Sequence, residues 1–133
     1  MKKSTLNSFA ALGCAALLAG CLFPRYTTIG EKFPTDGEPA AVREDMTLEQ
    51  ASAIVRDALA DPPAGHRPSH PGDRELGRSA TSIRLRRHNR TDLVLVEVKD
   101  RSRVVLEFYV RTKEDGERFA AAVWRLRREY RGK

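Results

Sequence analysis

Two stretches of the chain carry apolar residues at helical spacing. The first predicted helix spans residues 48–60, where the apolar positions fall on one stripe. These positions are Leu48, Ala51, Val55, Ala58 and Leu59. Thr47 and Gln50 form a capping box at the start of this helix, and an Asp-Pro-Pro sequence at 61–63 ends it.

The second predicted helix spans about residues 113–130 and has the clearest pattern of all. Its apolar residues again recur at helical spacing: Phe119, Val123, Leu126 and Tyr130. Thr112 can cap its start, and arginines near its end suit the helix dipole. We expect Trp124 and Tyr130 to face the core of the domain. The alternative is an aromatic belt that faces lipid.

Between the two helices, three short segments alternate between apolar and polar residues as strands do. They span residues 82–87, 93–98 and 104–111, and short turns connect them. This pattern predicts a small antiparallel three-stranded meander. With one helix before it and one after it, the fold class is α+β in the order α-β-β-β-α, over residues 46–131.

The middle strand of this meander is apolar on both faces for most of its length. We expect other residues to cover Val94, Val96 and Val98 of this strand. An exposed row of valines would be an apolar patch that favours association or aggregation. One of the helices, the N-terminal tether of residues 21–45 or a partner protein could supply that cover.

Two segments lack a periodic apolar pattern. Residues 61–79 are rich in proline, glycine and charge, and we predict a loop there. Residues 21–45 contain several prolines and glycines, and we predict a flexible tether. Within the tether, the composition of Arg25 to Ile29 also permits an extra edge strand.

The N-terminal residues have the three parts of a secretory signal. Lys2 and Lys3 make a positive start, Phe9 to Ala19 is an apolar run of 11 residues, and small residues close it. A membrane span needs about 20 apolar residues, so this run is too short for a comfortable anchor helix, which is the alternative. We therefore predict that residues 1–20 are a signal peptide.

The residues that end this run, Leu18-Ala19-Gly20-Cys21, resemble the lipobox of bacterial lipoproteins. In that family the cysteine sulfur receives a diacylglycerol, and the signal peptide is cut just before the cysteine. The resemblance implies that Cys21 becomes the mature N-terminus and is held to the membrane by its acyl chains. Leu22 rather than aspartate follows the cysteine, which implies sorting to the outer membrane, facing the periplasm.

A lipid on Cys21 agrees with the way this chain uses cysteine. There are two cysteines, and Cys14 would leave with the signal peptide. The remaining thiol then has no partner for a disulfide, and a free thiol is a liability in an oxidising envelope. Apart from this covalent lipid, we expect no cofactor.

The C-terminal half resembles the end of pleckstrin-homology-like domains. In those domains, strands lead into a closing helix that carries an acidic-x-x-x-Phe-Ala pattern. Here the preceding strands and the stretch from Asp115 to Val123 carry the resemblance. It implies a similar shape and no particular binding residues.

Candidate catalytic and metal-ligating groups are few. His66 and His70 have a spacing that would suit a metal pair on a helix, but Pro68 between them argues against a helix. The sequence has no nucleophile motif around a serine and no glycine-rich phosphate loop. We expect neither an enzyme nor a metal site, and we expect His88 to be solvated in a turn.

The formal net charge of +6 includes Lys2 and Lys3, and acids and bases are mixed along the chain. Export would separate the protein from nucleic acid, so we expect no nucleic-acid partner. The leading expectation is a non-catalytic envelope lipoprotein that docks a protein partner or has a structural role. The alternative is a binding module for an anionic envelope polymer or lipid head group. Its basic strand face would consist of Arg84, Arg86, Arg87 and Arg90, with Arg101 and Arg103.

Overall fold

The computed structural model describes residues 25–32, 46–64 and 68–131. Its elements are β1 (Tyr26–Lys32), α1 (Leu48–Ala60), α2 (Asp73–Ser79), β2 (Ser82–His88), β3 (Val94–Asp100), β4 (Arg103–Val110) and α3 (Lys113–Tyr130). The α+β class is confirmed, and the antiparallel sheet has the strand order β1-β2-β3-β4. The predicted signal peptide and Cys21 lie outside the described residues.

The prediction of three strands is wrong in number, because part of the predicted tether forms β1. This strand pairs with β2 from Tyr26 beside His88 to Lys32 beside Ile83. A bulge between Thr28 and Gly30 shifts the alternation of side chains along β1. The extra edge strand that the composition permits is therefore present in the structure. Residues 21–24 and 33–45 of the predicted tether lie outside the described part of the chain.

A second difference is α2, which forms inside the segment predicted to be a loop. A helix of seven residues is marginal in isolation, so its packing must stabilise it. Leu76 and Gly77 are buried, and α2 packs on α3. Gly77 allows a very close approach of the two helices, since a Cβ added there would lie 2.7 Å from the carbonyl oxygen of Leu126.

The helices predicted at 48–60 and 113–130 are confirmed, together with their N-terminal caps. The Thr47 hydroxyl accepts a hydrogen bond from the Gln50 amide at 3.1 Å, and the Gln50 side chain accepts one from the Thr47 amide at 2.9 Å. The Thr112 hydroxyl accepts a hydrogen bond from the Asp115 amide at 3.1 Å. Because these caps join residues three apart, sequence spacing alone reveals them.

The core lies between one face of the sheet and a layer of helices in which α1 and α2 both pack on α3. Phe119 of α3 is completely buried and meets the ring of Phe108 edge-on, with 4.7 Å between ring centroids. The β3 valines Val94, Val96 and Val98 belong to this core, so helices supply their cover. Trp124 is buried in the same core and Tyr130 packs against it, which confirms the expectation that both face the core.

Candidate functional site

The sheet has a second face, which none of the described helices covers; we call it the open face. Strand alternation and register place several larger side chains there, among them Tyr26, Arg84, Arg86, Leu95, Glu97 and Tyr109, with Glu107 opposite Glu97. Leu95 and Glu97 of β3 are nevertheless only 7% and 6% exposed. Longer side chains from the neighbouring strands therefore shield the centre of the open face.

Two tyrosines connect the outer strands across this face. The hydroxyl groups of Tyr26 on β1 and Tyr109 on β4 are 2.5 Å apart and share a hydrogen bond. Arg86 lies under this bridge, with its guanidinium carbon 4.9 Å from the centroid of the Tyr26 ring. The edge of the His88 ring also meets Tyr26, at 5.1 Å between centroids. These contacts of Tyr26 add to the backbone pairing that joins β1 to β2.

The buried carboxylate on the open face is neutralised within the protein. Arg86 Nη1 donates a hydrogen bond to Glu97 Oε1 at 3.2 Å. A buried charge without such a partner would be strongly unfavourable, so this arginine is required where it is. The buried Nε atom of Arg86 has no hydrogen-bond partner among the described residues. The side chain of Arg86 thus contacts mainly Glu97 and Tyr26.

The tyrosine bridge changes the proton affinity of Tyr109. Burial, followed by the hydrogen bond with Tyr26, raises the pKa of Tyr109 from 10.0 to about 12. The folded protein therefore keeps this proton at a pH where the unfolded chain has lost it. Since the folded state then binds more protons, the contribution of Tyr109 to the free energy of unfolding is constant below about pH 10 and is lost as the pH rises from about 10 to 12.

Replacing Tyr26 with phenylalanine is expected to lower the pKa of Tyr109, because the hydrogen bond and the neighbouring charge disappear while burial stays. Tyrosinate absorbance during a pH titration of the folded protein measures this change. Tyr130→Phe, at the end of α3, is the control and should leave the late-titrating tyrosine in place. An unchanged titration of Tyr109 in Tyr26→Phe would contradict the bridge.

The structure does not bring the predicted basic residues onto one face. Arg84 and Arg86 share the open face, but Arg84 lies 3.5 Å from Glu31 and Arg86 pairs with Glu97. Arg87 is exposed and is aligned with the buried Val94, so it belongs to the opposite face. Arg90 lies in the β2–β3 turn. The two further arginines, Arg101 and Arg103, lie at the other end of the sheet.

The histidines do not form a site among the described residues. His88 ends β2 and is half-buried, and it has partners that the sequence did not reveal: its Nδ1 accepts hydrogen bonds from the amides of Arg90 and Thr91 at 3.2 and 3.3 Å. His70 is exposed, with Nδ1 2.5 Å from the Pro71 carbonyl oxygen. His66 lies outside the described residues, and no cluster of metal-ligating side chains occurs within them.

Two clefts border β4. One has a volume of about 280 Å³ and lies between α1, the end of β4 and the start of α3. Its charged residues are of both signs: Asp57, Asp61, Asp115, Arg111 and Arg118. The other has a volume of about 300 Å³ and lies between α2 and the start of β4, where Val104 is 41% exposed. Leu76 and Ser79 of α2 line this second cleft beside Val104.

No family model, curated protein or solved structure matches this chain. The resemblances to lipoproteins and to pleckstrin-homology-like domains therefore stay predictions. In the described part of the chain, none of the helices combines the length and apolarity needed to cross a bilayer. Function is therefore inferred from the residues of the chain itself.

Proposed function

We propose that this chain is a non-catalytic lipoprotein of the bacterial envelope whose domain docks a protein partner or has a structural role. The observation that carries this proposal is Leu18-Ala19-Gly20-Cys21 at the end of a short apolar run. Acyl chains on Cys21 would hold the protein, since each buried CH₂ contributes about 0.8 kcal/mol and two or more chains give a firm anchor. Leu22 favours the outer membrane, facing the periplasm.

The docking role is supported by the free side of β4. None of the described strands pairs with β4 on the side away from β3. An unpaired strand edge can accept an extended segment of another protein through main-chain hydrogen bonds. Val104, exposed beside the cleft against α2, adds an apolar contact at the start of that edge.

The alternative function is binding of an anionic polymer or lipid head group by a basic face of strand arginines. The structure gives this face less support. Such binding needs a face with unpaired positive charge, but Arg84 and Arg86 lie beside carboxylates. Nearby negative charge weakens the attraction of an anion to either arginine. Arg87 and Arg90 are exposed, and they lie at one end of the sheet.

Metabolic labelling with palmitate tests the anchor. We expect the full chain to be labelled and to sediment with membranes, and Cys21→Ser to lose both properties, because serine cannot carry the thioether-linked lipid. Cys14→Ser is the matched control and should be labelled as the parent chain is. Label that persists in Cys21→Ser, or no label in the parent chain, would refute the proposal.

A photo-activatable amino acid at position 104 of the same lipidated chain tests docking in cells. We expect one discrete adduct from this site, and none from the exposed position 114 at the start of α3. The proposed partner is held at the same membrane, so the adduct should weaken in Cys21→Ser, which would release the domain from that membrane. Equal adducts at both positions, or none at position 104, would contradict docking at β4.

A further inference from the structure

The position of β1 sets how close the domain lies to the proposed lipid. Tyr26, the first residue of β1, comes five residues after Cys21. Since successive Cα atoms are about 3.8 Å apart, the Cα atoms of these two residues are at most about 19 Å apart. This separation is shorter than the reach of roughly 25–30 Å for a flexible coil over the whole predicted tether. The inference rests on the lipid anchor proposed above.

The start of β1 and the β2–β3 turn form one unit, which we call the anchored end. The Asn89 amide donates a hydrogen bond to the Arg25 carbonyl oxygen at 2.8 Å. The Thr27 hydroxyl donates another to Asn89 Oδ1 at 2.9 Å. Any restraint on residue 25 therefore also restrains the turn. Whatever is joined to Cys21 lies near both segments.

The anchored end is basic. Arg25, Arg87 and Arg90 are all exposed, and Asp92 is the one acid between residues 87 and 93. Arg111 also lies at this end of the sheet, because Val110 pairs with Val94. Its cleft holds three carboxylates, Asp57, Asp61 and Asp115, against two arginines, Arg111 and Arg118, so the basic character of this end belongs only to the start of β1 and the β2–β3 turn.

Charge alone does not select this end of the sheet. The opposite end carries Arg101 and Arg103, which are also exposed. The short connection to Cys21 distinguishes the two ends, because it brings only the anchored end near the membrane. With about 3.3 Å per residue, β2 alone separates the two ends by roughly 20 Å. That separation exceeds the Debye length of about 8 Å at physiological salt.

We propose that Arg25, Arg87 and Arg90 bind the anionic phospholipid headgroups of the membrane in which Cys21 is anchored. The domain then stands on the bilayer with its anchored end down. Each arginine near an anionic surface favours this orientation about fivefold. The start of β4, with Val104, is then directed away from the lipid, where a protein partner can reach it.

Energy transfer from the domain to the membrane surface tests this orientation. The purified lipidated full chain is placed on phosphatidylcholine vesicles, with or without phosphatidylglycerol, that contain a headgroup-linked acceptor. A donor is attached to a single introduced cysteine, Thr91→Cys in the anchored end or Ser102→Cys at the opposite end; both positions are exposed. We expect stronger transfer from position 91 than from position 102 on the anionic vesicles.

Matched pairs of substitutions separate the basic contact from the tether. Arg87→Gln with Arg90→Gln should lower the ratio of docked to undocked domains about 25-fold, and added salt should act in the same direction. Arg101→Gln with Arg103→Gln removes equal charge and should change nothing. Equal transfer from both positions, or an equal effect of the two pairs, overturns the inference.

Flotation of the vesicles in the same preparation tests the anchor separately. Protein that floats with the vesicles but shows no preferred orientation refutes only the headgroup contact. Lack of flotation by the parent chain refutes the lipid anchor and the headgroup contact together.

Discussion

Replacing Phe119 with alanine is expected to lower the free energy of unfolding by about 3–5 kcal/mol. Phe119 is completely buried on α3, where its ring packs against Phe108 of the sheet. Alanine would leave a cavity at the junction of the helix layer and the sheet. A domain of this size is stable by about 5–15 kcal/mol, so the change removes a large part of the total. Urea unfolding followed by the fluorescence of Trp124, the single tryptophan, measures it.

Two further variants identify the cause of this loss. Phe119→Leu keeps most of the volume and should cost only about 1–2 kcal/mol. The double variant with Phe108→Ala should lose about 0.5–1.5 kcal/mol less than the sum of the single losses, because the two rings form an edge-on pair. A loss below about 1 kcal/mol for Phe119→Ala would show that α3 does not pack on the sheet through this ring.

Elements whose stabilising contacts are local could be predicted from the sequence. The capping box of Thr47 and Gln50 joins residues three apart, and the stripe of apolar residues in α3 repeats every three or four residues. Strands β2 to β4 follow one another through short turns, so their order also follows from local signals. These features gave the α+β class and the position of the core.

Elements that depend on distant partners could not be predicted in the same way. β1 contains threonines, a glycine and a bulge, and its pairing partner β2 begins about fifty residues later. α2 is short and polar, and it is buried through Leu76 and Gly77 only because α3 lies beside it. Neither the register of β1 nor the close approach at Gly77 leaves a periodic pattern in the sequence.

The candidate basic face also has one feature that local sequence predicts and one that depends on distant residues. Alternation correctly placed Arg84 and Arg86 together on one face of β2. The carboxylates beside them come from other strands, Glu31 on β1 and Glu97 on β3, and strand register decides whether they meet. The lipobox resemblance, by contrast, depends on four consecutive residues, so it could be identified without any structure.

The proposed anchor and the proposed docking surface are compatible, because they lie at different ends of the sheet. β1 starts at the end with Arg25 and Arg90, whereas β4 starts at the other end, near Val104. A domain held by β1 would therefore present the start of β4 to the periplasm. A short connection from lipid to domain keeps the start of β1 near the bilayer, and the proposed contact of Arg25, Arg87 and Arg90 with headgroups then favours one orientation of the domain.

Gly77→Ala is expected to lower the free energy of unfolding by about 1–2 kcal/mol, although alanine favours helices. Alanine at a helix interior gains about 0.5–1 kcal/mol over glycine. Here its Cβ would lie 2.7 Å from the Leu126 carbonyl oxygen and 2.8 Å from the Leu126 carbonyl carbon. Both atoms are backbone, so α2 and α3 must separate, and overpacking of this kind costs about 1–3 kcal/mol.

Gly116→Ala in α3 is the matched comparison for this prediction. An added Cβ there would lie 2.9 Å from Leu85 Cδ2, which is the end of a flexible side chain. Leu85 can change its rotamer, so the helix-propensity gain should hold the loss below about 1 kcal/mol. Urea unfolding of both variants gives the ranking. If Gly77→Ala proves as stable as the parent chain, or more stable than Gly116→Ala, then α2 does not rest on the α3 backbone and its burial has another cause.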